Sequence, residues 1–342
     1  MKNTTEIGGH LDLSQNIRIP LFLRMADSGN DPSLAYEAIP FSLEEYASMK
    51  TLFLSAFEVE MKRDNFIKRF DTRLLGSSVI GYLAKHRETG EPAAYYGVFP
   101  VKITVNNNVL LVAQSGDTMT HQHHQKKGLF TWLAKKTFAT CKEKGIALIF
   151  GIPNKNSYPG FIRRLEWKQL DRINTYDLKL KVKTFPLPKL CIKWKLPRTY
   201  LRFARLVFRR KIVSDVTEFQ NPLMAYSRVY RDQAYLHYKE TPDKLFIKIN
   251  DVVVWIRLTD VLWIGDFSTY EKVTPTTIKK LKYLAWVLGY NTIRFHFNDS
   301  LPKPLFLSHF KLSGQEPSCF LYLDESLEGT NLLLTAADFD TW

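Results

Sequence analysis

The alternation of hydrophobic and polar positions divides the chain into two runs of elements in the same order. In the first run it predicts strands at residues 36–39, 79–86, 93–105 and 109–118, with short polar turns between the last three. Ser42, with Glu45 three residues later, has the pattern of a capping box and predicts a helix that extends to about residue 60. A helix from Leu129, a strand at 147–150, a short helix and a strand at 173–180 complete this run.

The second run repeats this order of elements, although it does not repeat the residues. The pattern predicts a helix at 224–239, strands at 245–249, 252–258, 262–267, 292–297 and 318–323, a helix from Pro275 to Gly289, and a short helix at 301–310. We therefore expect an α/β (α+β) fold with two mixed-sheet domains in tandem. The predicted divisions are an N-terminal arm (1–34), a first domain (35–182), a basic linker (183–217) and a second domain (218–342).

The sequence QKKGLF, residues 125–130, lies between a predicted strand end and the start of the helix at Leu129. The first turn of a helix leaves backbone N–H groups without internal partners, and the helix dipole makes that end positive. Gly128 leaves room for an anion there, and Lys126 and Lys127 add positive charge. These features suit a phosphate group.

In this position QKKGLF resembles the Gln/Arg-x-x-Gly-x-Gly/Ala signature of the GNAT superfamily of acyl-CoA N-acyltransferases. The resemblance extends over roughly residues 35–180. It implies a GNAT-like fold, acetyl-CoA as the cosubstrate, and a loop whose amides hold the coenzyme A pyrophosphate. The residues that it assigns to this loop are Gln125, Lys126, Lys127, Gly128, Leu129 and Phe130.

Other positions match the family less closely. Asn156 lies ten residues before the pair Glu166–Trp167, where family members often carry an Asn before a Gly-Phe pair. Phe130 replaces the small residue that usually ends the loop. Ile162 stands where the family has its tyrosine general acid, so Tyr158, one turn earlier, is the nearest acid for the departing thiolate.

The resemblance also places the acyl group along the strand end at residues 116–120, which makes Asp117, Thr118 and Met119 site residues. Asp117 is predicted to act as the base or to anchor the amine, and a turn residue with local hydrogen bonds is the competing interpretation. The amide after Met119 is the predicted donor to the oxyanion. Glu58 could attract a cationic amine or lie on a solvated helix face, and His121 could lie near the reacting amine.

His121, His123 and His124 form a cluster that raises the question of a metal site. Their spacing is i, i+2, i+3, with no cysteine nearby and no HExxH pattern, whereas zinc sites usually draw on better-spaced ligands. The sequence therefore predicts a histidine-rich loop without a metal.

The formal charge of +14 indicates attraction to anions. The segment 179–211 contains 12 lysine or arginine residues and no acidic residue, interleaved with aromatic residues. It could be a basic connector or it could lie on an anionic membrane surface; nucleic acid is the less favoured partner, because no nucleic-acid-binding motif accompanies the charge. Three widely spaced cysteines, no apolar run near ~20 residues and no secretory pattern predict a cytoplasmic protein, with the inner membrane surface as a peripheral alternative.

We therefore expect an N-acetyltransferase that moves an acetyl group from acetyl-CoA to a primary amine of a small molecule or amino sugar by direct attack. The second domain has no Q/R-x-x-G loop, and we expect it to bind no coenzyme A. Two alternatives stay open: a non-catalytic coenzyme A-binding module, and an adaptor for anionic surfaces that acts through residues 179–211.

Overall fold

The computed structural model describes residues 31–194, 196–214, 216–220 and 226–339. Most of the predicted N-terminal arm lies outside these residues. The α-helices are α1 (Pro32–Ala35), α2 (Tyr46–Phe57), α3 (Arg63–Phe70), α4 (Leu129–Glu143), α5 (Tyr158–Arg164), α6 (Leu187–Lys193), α7 (Pro197–Phe208), α8 (Gln233–Lys239) and α9 (Pro275–Val287). The strands are β1 (Tyr36–Pro40), β2 (Ile80–His86), β3 (Pro92–Val105), β4 (Asn108–Thr120), β5 (Leu148–Gly151), β6 (Lys168–Lys179), β7 (Arg228–Val229), β8 (Lys244–Ile249), β9 (Val252–Leu258), β10 (Leu262–Phe267), β11 (Thr292–Asn298) and β12 (Lys311–Tyr322).

The strands form one continuous mixed sheet in the order β1-β2-β3-β4-β5-β12-β6-β11-β10-β9-β8, with β7 beside β3. The pairs β4/β5 and β10/β11 are parallel, because a helix connects the strands of each pair, and the other neighbours along this order are antiparallel. Each half therefore contains an antiparallel meander, a crossover helix and a parallel strand. The expected α/β fold with two mixed-sheet halves in tandem is confirmed.

The two halves exchange their last strands. The strand β12, from the end of the chain, pairs with β5 at Phe320↔Phe150, whereas β6 pairs with β11 at Tyr176↔Phe295. The exchanged strands β6 and β12 also pair with each other at the centre of the sheet. The predicted boundary after residue 182 divides the chain in sequence. In the structure, however, the sheet of each half is completed by a strand from the other half.

Helices cover both faces of the first half. On one face, α4 and α5 bury a core that includes Leu133, Phe161 and Trp167 against β1 to β5. On the other face, α2 and α3 bury Phe53, Phe66 and other apolar residues against β2 to β4. In the second half, α7 and α9 share a core with β8 to β11. The part of the chain that the structure describes has no helix that is both long and apolar enough to cross a bilayer.

Three predicted helices differ from the structure, and the strands β6 and β12 begin earlier than predicted, at Lys168 and Lys311. The helix predicted at 224–239 is only α8, because Asp232 accepts a hydrogen bond from Tyr235 N at 2.8 Å and caps the helix there, and β7 precedes it; Met224 lies outside the described residues. The helix α2 ends at Phe57, before the predicted end near residue 60, and its C-cap Glu58 has a left-handed φ of 57°. The helix α3, which follows it, was not predicted. The short helix predicted at 301–310 is a 3-10 turn at Leu305–His309.

Candidate active site

The start of α4 is an open helix N-terminus. Gly128 is its N-cap, with φ 75° and ψ 0°, and no side chain caps the helix. Within the described residues, no hydrogen-bond acceptor is recorded for the amides of Lys127, Gly128, Leu129 and Phe130. Gln125, Lys126, Lys127 and Gly128 are exposed, whereas the Leu129 side chain is buried in the core, so Leu129 can offer only its backbone to a ligand. The loop therefore combines four amides that have no recorded acceptor with two exposed lysines, an arrangement that suits a phosphate group.

The matching helix of the second half, α9, is closed by its own residues. The Thr274 hydroxyl accepts a hydrogen bond from Thr277 N at 3.3 Å, and Pro275 has no N–H to offer. Next to it, Phe267, Tyr270 and Phe306 pack around Phe295. An anion would have to displace the Thr274 cap at the start of α9. The backbone amides at the start of α4 have no such side-chain cap, and uncapped amides are what a phosphate site requires.

Strands β4 and β5 separate beside the start of α4. They pair only at Ala113↔Ile149 and Gln114↔Phe150, after which β5 ends at Gly151 and β4 continues to Thr120. His121 N donates to Ala93 O on β3 at 2.8 Å. Because amides alternate in direction along a strand, Thr120 N–H points away from β3, into the opening. This amide is the one after Met119 that the sequence assigns to the oxyanion, whereas the Met119 side chain is buried under α2 and α3.

A β-bulge interrupts β4 next to this opening. Gly116 pairs with Gly97 and Met119 pairs with Tyr95, so Asp117 and Thr118 lie opposite one residue of β3. Asp117 has a left-handed φ of 52°. Its carboxylate is held by the Arg69 guanidinium of α3, with Arg69 Nη2 2.8 Å from Oδ1 and Arg69 Nε on Oδ2. Both carboxylate oxygens are therefore engaged by one guanidinium, and the geometry favours a structural role for Asp117 over the predicted base.

The second half also has an aspartate beside a β-bulge that is paired with arginine, and here the ion pair is buried. Gly265 is the extra residue of β10 and Asp266 pairs with Trp255, whereas in β4 Gly116 is paired and Asp117 and Thr118 form the bulge. Asp266 accepts a hydrogen bond from Arg228 Nη2 at 3.0 Å and pairs with Arg231, which is 1% exposed. Each half therefore has a Gly-Asp pair at a bulge, with the aspartate held by arginine.

The aromatic side chain of Phe130 does not block the loop. Its ring packs against Tyr96 and Phe161, with centroids 5.4 and 5.5 Å away. The space for it comes from Gly160, where an added Cβ would lie 2.9 Å from Phe130 Cε1. The large residue at the end of the loop motif is therefore accommodated by a glycine on α5.

Tyr158 and Asn156 lie after β5, at the start of α5. The Tyr158 hydroxyl donates to Gln169 Oε1 at 2.6 Å. The amides of Asn156 and Ser157 donate to Asn154 Oδ1, at 2.9 and 3.0 Å, so Asn154 organises this turn. Asn156 is exposed. A ligand would have to compete with Gln169 for the Tyr158 hydroxyl.

The predicted acceptor residues border the opening from the side of α2. Gln122 N donates to Ser55 Oγ at 3.1 Å, which ties the loop after β4 to the last turns of α2. Glu58 follows that helix and is exposed. Thr118 lies on the bulge and is half-buried, and His121 is buried. Arg69, Ser55 and Gly160 were not identified from the sequence.

The histidine cluster is closely packed against one carboxylate. Glu91, His121 and His123 each place a possible metal-ligand atom within 4.8 Å of the others. However, His123 N donates to His121 Nδ1 at 3.4 Å, which directs the proton of the neutral imidazole to Nε2, facing Glu91 Oε1 at 3.8 Å. Burial lowers the pKa of His121, although Glu91 opposes this shift. His121 and Glu91 therefore already face each other within the protein, and a loop without a metal stays the prediction.

Part of the first half matches a known family model. Residues 37–170 match the family model of the acetyltransferase (GNAT) domain. This range contains β1 to β5, α4 and the loop at Gly128. None of the curated proteins compared with the chain matches it.

Solved structures of similar fold include two GCN5-related N-acetyltransferases. The one from Kribbella flavida has 10% sequence identity and a TM-score of 0.55, with 86% of this chain and 73% of that chain covered. The one from Anabaena variabilis has 11% identity and a TM-score of 0.54, with 84% and 73% covered. A conserved protein of unknown function from Enterococcus faecalis has 16% identity, a TM-score of 0.54 and the same coverage. At these identities the likeness concerns the fold alone.

Proposed function

We propose that the protein transfers an acetyl group from acetyl-CoA to a primary amine, on the premise that residues 37–170 match the acetyltransferase (GNAT) domain. The acceptor is a small molecule or an amino sugar, and the amine attacks the thioester directly. The second half closes the sheet of the first by strand exchange and takes no coenzyme A itself.

The observation that carries this proposal is the open start of α4 beside the separated strands. No acceptor is recorded within the described chain for four successive amides, 127 to 130, and the exposed Lys126 and Lys127 supply positive charge next to them. A pyrophosphate satisfies such amides and is favoured by the dipole of a helix that extends to Glu143. The contrast with α9, which is capped by Thr274, argues that this opening is specific to the first half.

The residues beside the opening can perform the remaining tasks of acyl transfer. Thr120 N–H can donate to the oxyanion that develops when an amine attacks the thioester carbonyl, and one such donor is typically worth about 3 kcal/mol. Positioning of the two reactants contributes several kcal/mol more. Tyr158 can protonate the departing thiolate once its hydroxyl leaves Gln169. Because Asp117 is paired with Arg69, we propose that a chain of water molecules, and not Asp117, accepts the proton from the attacking amine.

Substitution of Gly128 tests the cradle. Gly128→Trp places an indole over the open amides, and we expect it to abolish coenzyme A binding in calorimetry. Gly145→Trp is a matched control at the other end of α4, because Gly145 has a similar φ of 72° and an added Cβ there meets nothing within 4 Å. Unchanged binding by Gly128→Trp, with folding intact by circular dichroism, contradicts the proposed cradle.

A second measurement separates catalysis from binding alone. Thioester consumption is followed with a panel of small amines and amino sugars at an acetyl-CoA concentration that saturates the wild type. We expect at least one amine to accelerate consumption in the wild type and not in Gly128→Trp. Tight coenzyme A binding without consumption for any amine would favour a non-catalytic binding module.

A further inference from the structure

The basic segment, residues 179–211, covers the end of the second half and exposes an unusual number of apolar side chains. Phe185 is 67% exposed and Trp194 is 61% exposed. The large apolar residues of this segment that are exposed are Val182, Phe185, Ile192, Trp194, Leu196, Phe203 and Leu206. On the neighbouring helix α9, Tyr283 and Trp286 are exposed as well. Apolar groups concentrated in this way mark an interaction surface.

This exposure is a fixed feature of the fold. The inner face of α7 buries Tyr200, Ala204 and Phe208 in the core, and the Tyr200 hydroxyl donates to Leu288 O at 3.1 Å. Thr184 and Asn291 exchange two hydrogen bonds, from Thr184 N to Asn291 Oδ1 at 2.8 Å and from Asn291 Nδ2 to Thr184 O at 3.0 Å. The segment is therefore held at Thr184 and along the inner face of α7. Its outward side chains cannot turn into the core without breaking these contacts.

Basic residues surround the apolar groups. Arg198, Arg202, Arg209 and Arg210 are exposed on and just after α7, and Lys189 and Lys193 belong to α6. The segment has no acidic residue that could neutralise them internally. The surface thus combines exposed aromatic rings with a field of one sign.

We propose that the basic segment docks the protein on a lipid bilayer that contains anionic lipids. Aromatic and aliphatic side chains enter the headgroup region, and lysine and arginine neutralise the lipid phosphates. A protein partner fits less well, because the centres of protein interfaces are depleted in lysine. A nucleic acid could interact with the positive charge, but its phosphate backbone offers no apolar partner for the exposed side chains of Val182, Ile192 and Leu206. This inference does not depend on the acetyltransferase activity.

The test measures binding of the full chain to sedimented vesicles, either of phosphatidylcholine alone or with a third of phosphatidylglycerol, at low and high salt. We expect binding only to the anionic vesicles, weakened by salt. Triple substitution of Arg198, Arg202 and Arg209 by Gln should lower binding about a hundredfold, since each charge near the surface contributes about fivefold. The matched control, Gln at Lys135, Lys142 and Lys144 around the end of α4, removes the same charge elsewhere and should change binding little.

A second pair of variants tests the apolar contribution. The double variant with Phe185→Ser and Trp194→Ser should bind anionic vesicles about tenfold more weakly than the wild type. The control variant with Leu74→Ser and Leu305→Ser alters exposed leucines outside the segment and should bind as the wild type does. The proposal is overturned if anionic vesicles bind no better than neutral ones, or if the control variants lose as much binding as the segment variants. Tighter binding to an oligonucleotide than to anionic vesicles in the same buffer would overturn it in favour of nucleic acid.

Discussion

Replacement of Arg69 by Ala tests how the bulge of β4 is maintained. Arg69 holds both carboxylate oxygens of Asp117, and its loss leaves a carboxylate that is only 10% exposed without its cation. Breaking a fully buried ion pair costs about 3–5 kcal/mol. Because the Arg69 side chain is 26% exposed, water can reach the vacated space, and we expect a smaller loss of about 2 kcal/mol in the free energy of unfolding.

The same substitution should reduce acetyl transfer more than coenzyme A binding. Asp117 keeps its left-handed backbone at the bulge with the help of Arg69, and the bulge lies two residues from Met119, whose following amide is the predicted oxyanion donor. A displaced donor should lower kcat about tenfold to a hundredfold. The affinity for coenzyme A, which depends on the start of α4, should stay within about twofold.

Urea unfolding and steady-state kinetics measure these two effects separately. The control is Arg63→Ala on the same helix, where the guanidinium lies over the Tyr46 ring at 5.5 Å and touches no part of the bulge. Arg69→Lys should recover part of the stability but less of kcat, because an ammonium cannot hold both oxygens in the same way. A kcat equal to that of the wild type in a destabilised Arg69→Ala protein would refute the link between the ion pair and the oxyanion donor.

Two further predictions concern stability and a third concerns coenzyme A binding. Burial lowers the pKa of His296 to about 4, and Arg294 adds to this shift while Asp177 opposes it. Between pH 6.5 and 4 the unfolded chain therefore binds a proton that the folded chain does not bind, and the free energy of unfolding should fall by about 3 kcal/mol as the pH is lowered through this range. His296→Gln should remove this component from the pH dependence of urea unfolding. Gly160→Ala pushes on the Phe130 ring and should cost about 1–2 kcal/mol, and a double-mutant cycle in which Phe130→Ala fails to relieve this cost would contradict the contact. A chain that ends at residue 310 lacks β12 and should lose coenzyme A binding, although every residue of the loop at Gly128 remains; retained affinity would show that β5 needs no partner from the other half.

The order of elements was predictable because each element carries its own local pattern. Alternation marked the meander of each half, and Thr274 with Pro275 marked the start of α9. The strand exchange was not predictable in this way. Both β6 and β12 have patterns that fit either half, and the choice between β5 and β11 as a partner depends on contacts far apart in the chain.

The candidate site was predictable in part for the same reason. The loop from Gln125 to Phe130 is contiguous, so its spacing alone indicated the open helix start. Arg69 was missed because it lies on α3, whose only fully buried residues, Phe66 and Phe70, give too short a pattern to predict a helix. The Gly-Asp pair that recurs at Asp117 and Asp266 was present in the sequence and could have indicated that a bulge lies beside each aspartate.

The most direct test of the account follows the backbone amides at the start of α4 by nuclear magnetic resonance while coenzyme A is added. If the pyrophosphate rests there, the amide resonances of Lys127, Gly128, Leu129 and Phe130 should shift most, and those of Thr277 and its neighbours on α9 should stay in place. Saturable coenzyme A binding that leaves these four resonances unmoved, or that shifts the α9 amides instead, would contradict the account.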